Sequence, residues 1–317
     1  MPDPAFSSDT SDRERPPVAL IAGPTASGKS AVALRLAKVH GGVVINADAS
    51  QVYADLAVLT ARPAPDEVAQ APHRLFGHID GTQACSAAFW ASEARSEIAR
   101  AHAQGLLPIL VGGTGLYLDT LLHGIAPIPD IDPAIRAAVR ALPVADAHAA
   151  LAQEDAISAA RLNPGDTARV ARALEVVRST GHPLHHWQTR RTGGILGQMP
   201  IHATVIMLSR EDLARRANRR LDQMLTGGAV EEVATLLARH LPADRPVLRA
   251  LGVREIGEML AGHASPAETH AAILTGTTAY QKRQITWARN RQRAWAKQPP
   301  DSIATLDDLP ILPASLS

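Results

Sequence analysis

The segment Gly23–Ser30, with the sequence GPTASGKS, constrains the fold of this chain more than any other feature. It follows the apolar run Val18–Ala22 and precedes the helical pattern Ala31–Val39. Between a strand and a helix, the spacing GxxxxGK[ST] predicts a loop whose backbone N–H groups and helix N-terminus surround a phosphate. Lys29 would add a positive charge, and Ser30 would offer an oxygen ligand to Mg²⁺. The predicted phosphate-binding residues are Gly23, Pro24, Thr25, Ala26, Ser27, Gly28, Lys29 and Ser30.

Three further apolar runs predict buried strands of the same sheet. They are Val43–Ile45, Pro108–Val111 and Ala203–Leu208, and helical patterns such as Ala87–Ala103 separate them. Strands that alternate with helices predict an α/β fold: a P-loop parallel sheet, doubly wound, with helices on both faces. Because the carboxyl ends of parallel strands share one edge, we expect the residues after each run to line one crevice.

The pattern between residues 124 and 200 is different, since four helical stretches follow a turn-rich entry. We interpret 124–200 as a helical insertion into the α/β core. The P-loop core then comprises 18–123 and 201–297, ending in helices. The polar, proline-rich residues 1–17 predict a disordered tail, and 298–317 predict a second tail.

The composition narrows the class of protein. A single cysteine, Cys85, excludes an internal disulfide and a multi-cysteine zinc site, and it fits a reducing cytosol. The formal net charge is only +1, so a nucleic-acid surface would have to come from local clustering. The chain contains no apolar run near the roughly 20 residues that a bilayer span needs. We expect a cytoplasmic, monomeric protein with no membrane partner.

Asp48 follows the second predicted strand and has three interpretations. It could orient Mg²⁺, act as general base toward an acceptor, or cap the turn that follows. An ATPase would show an apolar run ending in a metal-binding acid, whereas Pro108–Val111 leads into glycines and Thr114. Small-molecule kinases do place an acid beside the P-loop, so the motif alone does not choose between a kinase and another diphosphate-binding enzyme.

The segment Ala271–Lys297 contains no acidic residue and interleaves basic residues with Tyr280, Trp287 and Trp295. Cations set among aromatic rings suit an RNA backbone with unstacked bases. A solvated helical face is the alternative, although such faces usually carry acids for pairing along the helix. A second basic cluster, on which guanidinium groups could bind a diphosphate, comprises Arg210, Arg215, Arg216, Arg219 and Arg220.

Nine segments, spread over the chain from Val18 to Trp295, carry a family resemblance. They are GPTASGKS at 23–30, ADASQVY at 47–53, TARP at 60–63, APHRLFGHID at 71–80, SAAFW at 86–90, LVGGTGLYL at 110–118, RVARALEV at 169–176, LRALGVREI at 248–256 and KRQITWAR at 282–289. In this order they resemble the bacterial tRNA dimethylallyltransferases. Arg62, Ala49 and Val253 depart from residues that are common in that family, but none removes a group that the chemistry needs.

The resemblance implies transfer of a dimethylallyl group from dimethylallyl diphosphate to N6 of the adenosine 3′-adjacent to the anticodon of tRNA (position 37), with release of diphosphate. It implies that Thr25–Ser30 hold the donor, Asp48 accepts the amine proton, Thr114 places the base and Arg220 binds the diphosphate, with Mg²⁺ as cofactor. The residues that it implies for contact with the anticodon stem-loop are Asp48, Ala49, Ser50, Gln51, Thr114, Arg136, Ala168, Arg169, Arg172, Arg249, Arg254, Lys282, Arg283, Gln284, Trp287 and Arg289.

Other functions remain open at the level of sequence. A P-loop small-molecule kinase would use ATP and no RNA. An adenylate prenyltransferase would share the donor site but would not need the acid-free segment Ala271–Lys297. A non-enzymatic RNA-binding module would leave Asp48 and the P-loop unexplained.

Overall fold

A computed structural model of the chain describes residues 15–314. Within this range six parallel strands form one sheet in the order β3-β2-β4-β1-β5-β6. The strands are β1 (Val18–Ala22), β2 (Gly42–Asn46), β3 (His73–Arg74), β4 (Leu107–Gly112), β5 (Ile201–Ile206) and β6 (Ala296–Gln298). The predicted α/β fold with a parallel sheet is confirmed. The fourth predicted strand, Ala203–Leu208, begins and ends two residues too late.

The helices are α1 (Lys29–His40), α2 (Pro65–Val68), α3 (Ala87–Ala103), α4 (Gly115–His123), α5 (Pro133–Ala141), α6 (Val144–Glu154), α7 (Ala156–Arg161), α8 (Thr167–Thr180), α9 (Leu184–Gln188), α10 (Arg210–Thr226), α11 (Ala229–Ala238), α12 (Val253–Leu260) and α13 (Pro266–Arg291). Short 3₁₀ turns occur at Pro246–Arg249, Pro300–Ser302 and Leu306–Asp308. No helix in residues 15–314 is long and apolar enough to cross a membrane.

The strand order explains why helices cover both faces of the sheet. The chain moves from β1 past the position of β4 to β2 and on to β3, and then returns from β3 past β2 to β4. Because parallel crossovers are right-handed, the two opposite moves place α1 and α3 on opposite faces. Ala19, Ile21 and Ile109 pack with α1, and Trp90 of α3 is fully buried. This arrangement leaves the carboxyl edge of the strands open for the loops.

A second compact unit spans Leu122–Ile195, close to the predicted insertion 124–200. Its helices α5 to α9 surround an apolar cluster that includes Leu151, Val170 and Leu174. Aspartates begin three of these helices, since the side chains of Asp132, Asp155 and Asp166 each accept a backbone N–H. These caps stabilise helices that are too short to be stable in isolation.

The predicted tail 298–317 is wrong for the residues up to 314. Strand β6 extends the sheet beside β5, and Ile303 and Leu309 are buried against α1. Arg35 of α1 donates hydrogen bonds to the carbonyl oxygens of Ile303 (2.8 Å) and Pro300 (2.6 Å). The apolar residues here follow neither helical nor strand spacing, so periodicity gave no signal. Residues 1–14 of the predicted N-terminal tail, and 315–317, lie outside the described range.

Candidate active site

The P-loop is built by the sharp path from β1 to α1. Gly23 and Gly28 adopt φ angles of 155° and 93°, which L-residues rarely reach. A Cβ at Gly23 would lie 2.7 Å from the carbonyl oxygen of Ile206 on β5, so the loop passes too close to the sheet for a side chain. The two glycines therefore fix the loop at the carboxyl edge of the sheet, at the N-terminus of α1.

Lys29 places its ammonium group inside this loop. Nζ donates to the carbonyl oxygen of Pro24 at 3.4 Å. Burial lowers the pKa of Lys29 to about 8, the negative charge of Asp48 opposes that shift, and Arg220 adds to it. A buried cation whose positive form is disfavoured gains most when an anion binds beside it. Lys29 is thus suited to a phosphate ligand.

Asp48 is fixed by the side chain of Asn46, the last residue of β2. The fully buried Asn46 amide accepts the N–H of Asp48 at 2.8 Å and donates to its carbonyl oxygen at 3.0 Å. The Asp48 carboxylate accepts the N–H of Ser50 at 3.0 Å. Asp48 therefore caps the turn that follows it, as one of the three interpretations predicts. Its negative charge also interacts with Lys29 and Arg220.

Thr114 joins the β4 loop to the Asp48 loop. Its hydroxyl accepts the N–H of Ala49 at 2.9 Å, and its own N–H lies 3.3 Å from the carbonyl oxygen of Ala47. A Cβ at Gly112 would lie 2.0 Å from that same oxygen, which explains the glycine. Tyr280 of α13 lies close by: burial and the charge of Asp48 raise the pKa of its hydroxyl, which interacts with Thr114. The loop after β2, the loop after β4 and helix α13 therefore meet around the Asp48 carboxylate.

Arg220 of α10 contacts the P-loop through Thr25. Its Nη2 donates to Thr25 Oγ1, and burial lowers its pKa while Asp48 raises it. Arg216, one turn earlier on α10, lies against Gly28, where a Cβ would be 3.2 Å from its Nη1. The predicted guanidinium cluster is thus divided: Arg216, Arg219 and Arg220 turn toward the loop, whereas Arg215 pairs with Asp212.

Two cavities adjoin at this edge, and they differ in chemistry. The polar cavity, of about 480 Å³, is lined by P-loop residues with Arg62, Arg216, Arg219 and Arg220. The second cavity, of about 70 Å³, is called the apolar cavity because Leu59, Leu221, Met224, Leu251 and Ile273 line it, together with the polar residues Ser50, Thr277 and Tyr280. Thr25, Asp48, Thr60 and Arg220 line both. A ligand with an anionic head and a short hydrocarbon chain would match this pair.

Helix α13 carries both an inner and an outer face. On the inner face, Gln284 accepts the N–H of Thr25 at 2.8 Å and donates to the carbonyl oxygen of Gly113 at 3.0 Å. Gln281 donates to the carbonyl oxygen of Thr25 at 3.0 Å. The two amides hold the P-loop and the loop after β4 together. Sequence reasoning missed Gln281, because a glutamine on a basic helix has no distinguishing signal.

The predicted tRNA-binding residues separate into exposed and interior groups. Gln284 is only 8% exposed and its amide has two protein partners. The Trp287 indole lies over Gly115, where a Cβ would be 2.1 Å from Nε1. Gln51 donates to the carbonyl oxygens of Thr60 and Ala61, both at 2.8 Å. Outside the unit Leu122–Ile195, the predicted tRNA-binding residues that are exposed are Arg249, Arg254, Lys282, Arg283 and Arg289.

The compact unit Leu122–Ile195 has its own exposed set, Arg136, Ala168, Arg169 and Arg172. Arg172 lies 3.8 Å from the buried carboxylate of Glu175, which Arg140 also approaches at 2.9 Å. Arg169 pairs with Asp166 at 3.5 Å. The guanidinium groups of Arg169 and Arg172 are exposed and so accessible to an RNA backbone. The tRNA-binding role of both sets stays a prediction.

Comparison with known proteins identifies relatives over nearly the whole chain. The family model described as IPP transferase matches residues 51–291. A tRNA dimethylallyltransferase of Sphingopyxis alaskensis is 59% identical over 297 residues, covering 93% of this chain and 97% of the relative. A tRNA isopentenylpyrophosphate transferase structure from Staphylococcus epidermidis has a TM-score of 0.61 at 29% identity, covering 87% of this chain and 91% of its own. A eukaryotic dimethylallyltransferase structure, described as acting on tRNA, has a TM-score of 0.76 at 26% identity, covering 86% of this chain and 70% of its own.

Proposed function

The chain belongs to the IPP transferase family, and we propose that it transfers a dimethylallyl group from dimethylallyl diphosphate to N6 of an adenine in tRNA, releasing diphosphate. One observation carries this proposal: the polar cavity and the apolar cavity adjoin and share Thr25, Asp48, Thr60 and Arg220. ATP carries no short hydrocarbon chain that would occupy the apolar cavity. The curated relatives carry the name tRNA dimethylallyltransferase.

The donor would lie across both cavities. Its diphosphate would bind the P-loop N–H groups, Lys29 and the guanidinium groups of Arg216 and Arg220. Its five-carbon chain would enter the cavity formed by Leu59 and Ile273. The carbon that reacts would then lie where the two cavities join, beside Asp48.

The reaction forms one bond and breaks another. The amine N6 attacks C1 of the donor, the C1–O bond breaks, and the diphosphate departs with the bonding electrons. The adenine amine is a weak nucleophile, because its lone pair is delocalised into the ring. Asp48 would accept the N–H proton, as a general base. Lys29 and Arg220 would stabilise the negative charge that grows on the leaving oxygen.

The donor atoms of the site fit Mg²⁺. The Ser30 hydroxyl, in the first turn of α1, lines the polar cavity in which the donor's diphosphate would lie. The described residues contain no group of three His, Cys, Asp or Glu side chains that could hold a metal. Mg²⁺ is commonly held by one or two protein oxygens together with substrate phosphates, which is the set available here. Bound there, it would neutralise charge on the diphosphate.

The acceptor adenosine would have to leave its stack, because a paired or stacked base cannot reach the crevice. The exposed cations of α13, Lys282, Arg283 and Arg289, would contact the RNA backbone, and Arg283 lies 5.4 Å from the Tyr280 ring. We propose the adenosine on the 3′ side of the anticodon as the target, as the resemblance of the sequence motifs implies. In this proposal Gln284 serves the P-loop, not the RNA.

Mass spectrometry of unmodified tRNA tests the proposal. After incubation with dimethylallyl diphosphate and Mg²⁺, we expect one adenosine to gain one dimethylallyl group, with release of diphosphate. Parallel reactions with AMP as acceptor and with labelled ATP distinguish an adenylate prenyltransferase and a kinase. Prenylation of AMP in preference to tRNA, or transfer of labelled phosphate, would contradict the proposal.

A further inference from the structure

The loop at residues 57–62 forms a shared wall of the two cavities. It contributes Leu59 to the apolar cavity, and Thr60, Ala61 and Arg62 to the polar one. The loop belongs to neither a helix nor a strand. Its shape therefore depends on side chains that bond to its backbone.

Glu232 provides that support from outside the cavities. It lies in the first turn of α11, and its carboxylate accepts three consecutive backbone N–H groups. Oε1 accepts those of Ala57 (2.7 Å) and Val58 (2.8 Å), and Oε2 accepts that of Leu59 (3.0 Å). Successive N–H groups that converge on one anion form a strong, charge-assisted site. One carboxylate thus fixes the backbone at and before Leu59.

The opposite side of the loop is held by Gln51, which donates to the carbonyl oxygens of Thr60 and Ala61. The Leu59 side chain, itself 6% exposed, is seated against Gly252, where a Cβ would lie 2.9 Å from Leu59 Cδ1. Gly252 has a φ angle of 97°, so neither space nor conformation admits a side chain there. The Leu59 side chain therefore has one close-packed position, against Gly252. Glu232 fixes the Leu59 backbone that places the side chain there.

We propose that Glu232 is a positioning residue that sets donor chain length by fixing Leu59 as a wall of the apolar cavity. This inference rests on the proposed function. Without the carboxylate, three partly buried N–H groups lose their partner and the loop would relax toward water. The apolar cavity would then open, so a donor with a longer prenyl chain would be accepted more readily and dimethylallyl diphosphate less well.

The test compares kcat/KM for dimethylallyl diphosphate with kcat/KM for geranyl diphosphate, at saturating tRNA. We expect Glu232→Ala to lower the ratio of the two values about tenfold, equivalent to about 1.4 kcal/mol. Glu232→Gln keeps one oxygen acceptor, so its ratio should lie between the wild-type value and that of Glu232→Ala. The matched control is Glu231→Ala, because Glu231 is the exposed acidic neighbour in the same helical turn. Its ratio should equal that of the wild type.

Leu59→Ala provides a second route, because it widens the cavity without removing the Glu232 carboxylate. Its ratio should fall as well. In the double variant Glu232→Ala, Leu59→Ala, the logarithm of the ratio should fall by less than the sum of the two single changes, because both substitutions act on one wall. If Glu232→Ala does not fold, Glu232→Gln and Leu59→Ala decide the question. Equal loss of activity on both donors, or a ratio within twofold of wild type in these variants, would overturn the inference. A wild-type protein that transfers neither prenyl group would instead refute the proposed function.

Discussion

The lowered pKa of Lys29 makes donor binding depend on pH. Burial in the P-loop brings this pKa to about 8, whereas an exposed lysine titrates near 10.4. Only the protonated ammonium attracts the donor's diphosphate, which is itself fully ionised above about pH 7. Affinity for dimethylallyl diphosphate should therefore fall as the pH rises through the pKa of Lys29 in the free enzyme.

The size of the effect follows from the titration. A group with a pKa near 8 is roughly 90% protonated at pH 7 and roughly 10% at pH 9. Because the bound diphosphate raises the pKa of Lys29, binding above pH 8 must be accompanied by uptake of a proton. The Kd should therefore rise about tenfold between pH 7 and pH 9, which corresponds to about 1.4 kcal/mol.

Isothermal titration calorimetry in buffers of different ionisation enthalpy measures both the Kd and the proton uptake. Lys29→Met should bind the donor weakly at every pH and show no such dependence. Lys38→Met, which removes an exposed lysine of the same helix, should behave as the wild type. A Kd that is constant from pH 7 to pH 9, or a dependence that persists in Lys29→Met, would refute this assignment of the charge.

Three further predictions concern the acceptor and the loops. Asp48→Asn keeps an acceptor for the Ser50 N–H but removes the base, so the single-turnover rate should fall about 10²- to 10⁴-fold. The affinity for tRNA, measured by filter binding, should stay within about threefold of the wild-type value. A near-normal rate would exclude Asp48 as the base. Gln284→Ala removes the bonds to Thr25 and Gly113, so the KM for the donor should rise about tenfold while the Kd for tRNA is unchanged; the reverse result would make Gln284 an RNA contact. Arg283→Ala should reduce the slope of log K against log salt for tRNA by about 1, and an unchanged slope would exclude a phosphate contact there.

The parts of the site that depend on short stretches of sequence could be predicted. The P-loop is specified by its spacing between β1 and α1, and Asp48 by its place two residues after β2. Because parallel strands share a carboxyl edge, their meeting follows from topology alone. The basic pattern of α10 predicted diphosphate binding, and the family resemblance identified Arg220 within that cluster.

The parts that depend on distant contacts could not be predicted. Glu232 reaches the loop of Ala57 across 175 residues of chain, and no local pattern marks such a pair. The buried face of α13 includes Thr277, Gln281 and Gln284, so polar residues conceal the period that would have shown which side faces inward. The two-residue strand β3 is too short to give a periodic signal.

The central claim is that the P-loop holds an allylic diphosphate whose reactive carbon faces Asp48. A crystal structure with dimethylallyl thiodiphosphate, an unreactive analogue of the donor, tests it most directly. We predict diphosphate oxygens within hydrogen-bonding distance of Lys29 Nζ and Ser30, with the five-carbon chain against Leu59 and Ile273. A diphosphate bound away from Lys29 and Ser30, or a chain directed into solvent, would contradict the claim.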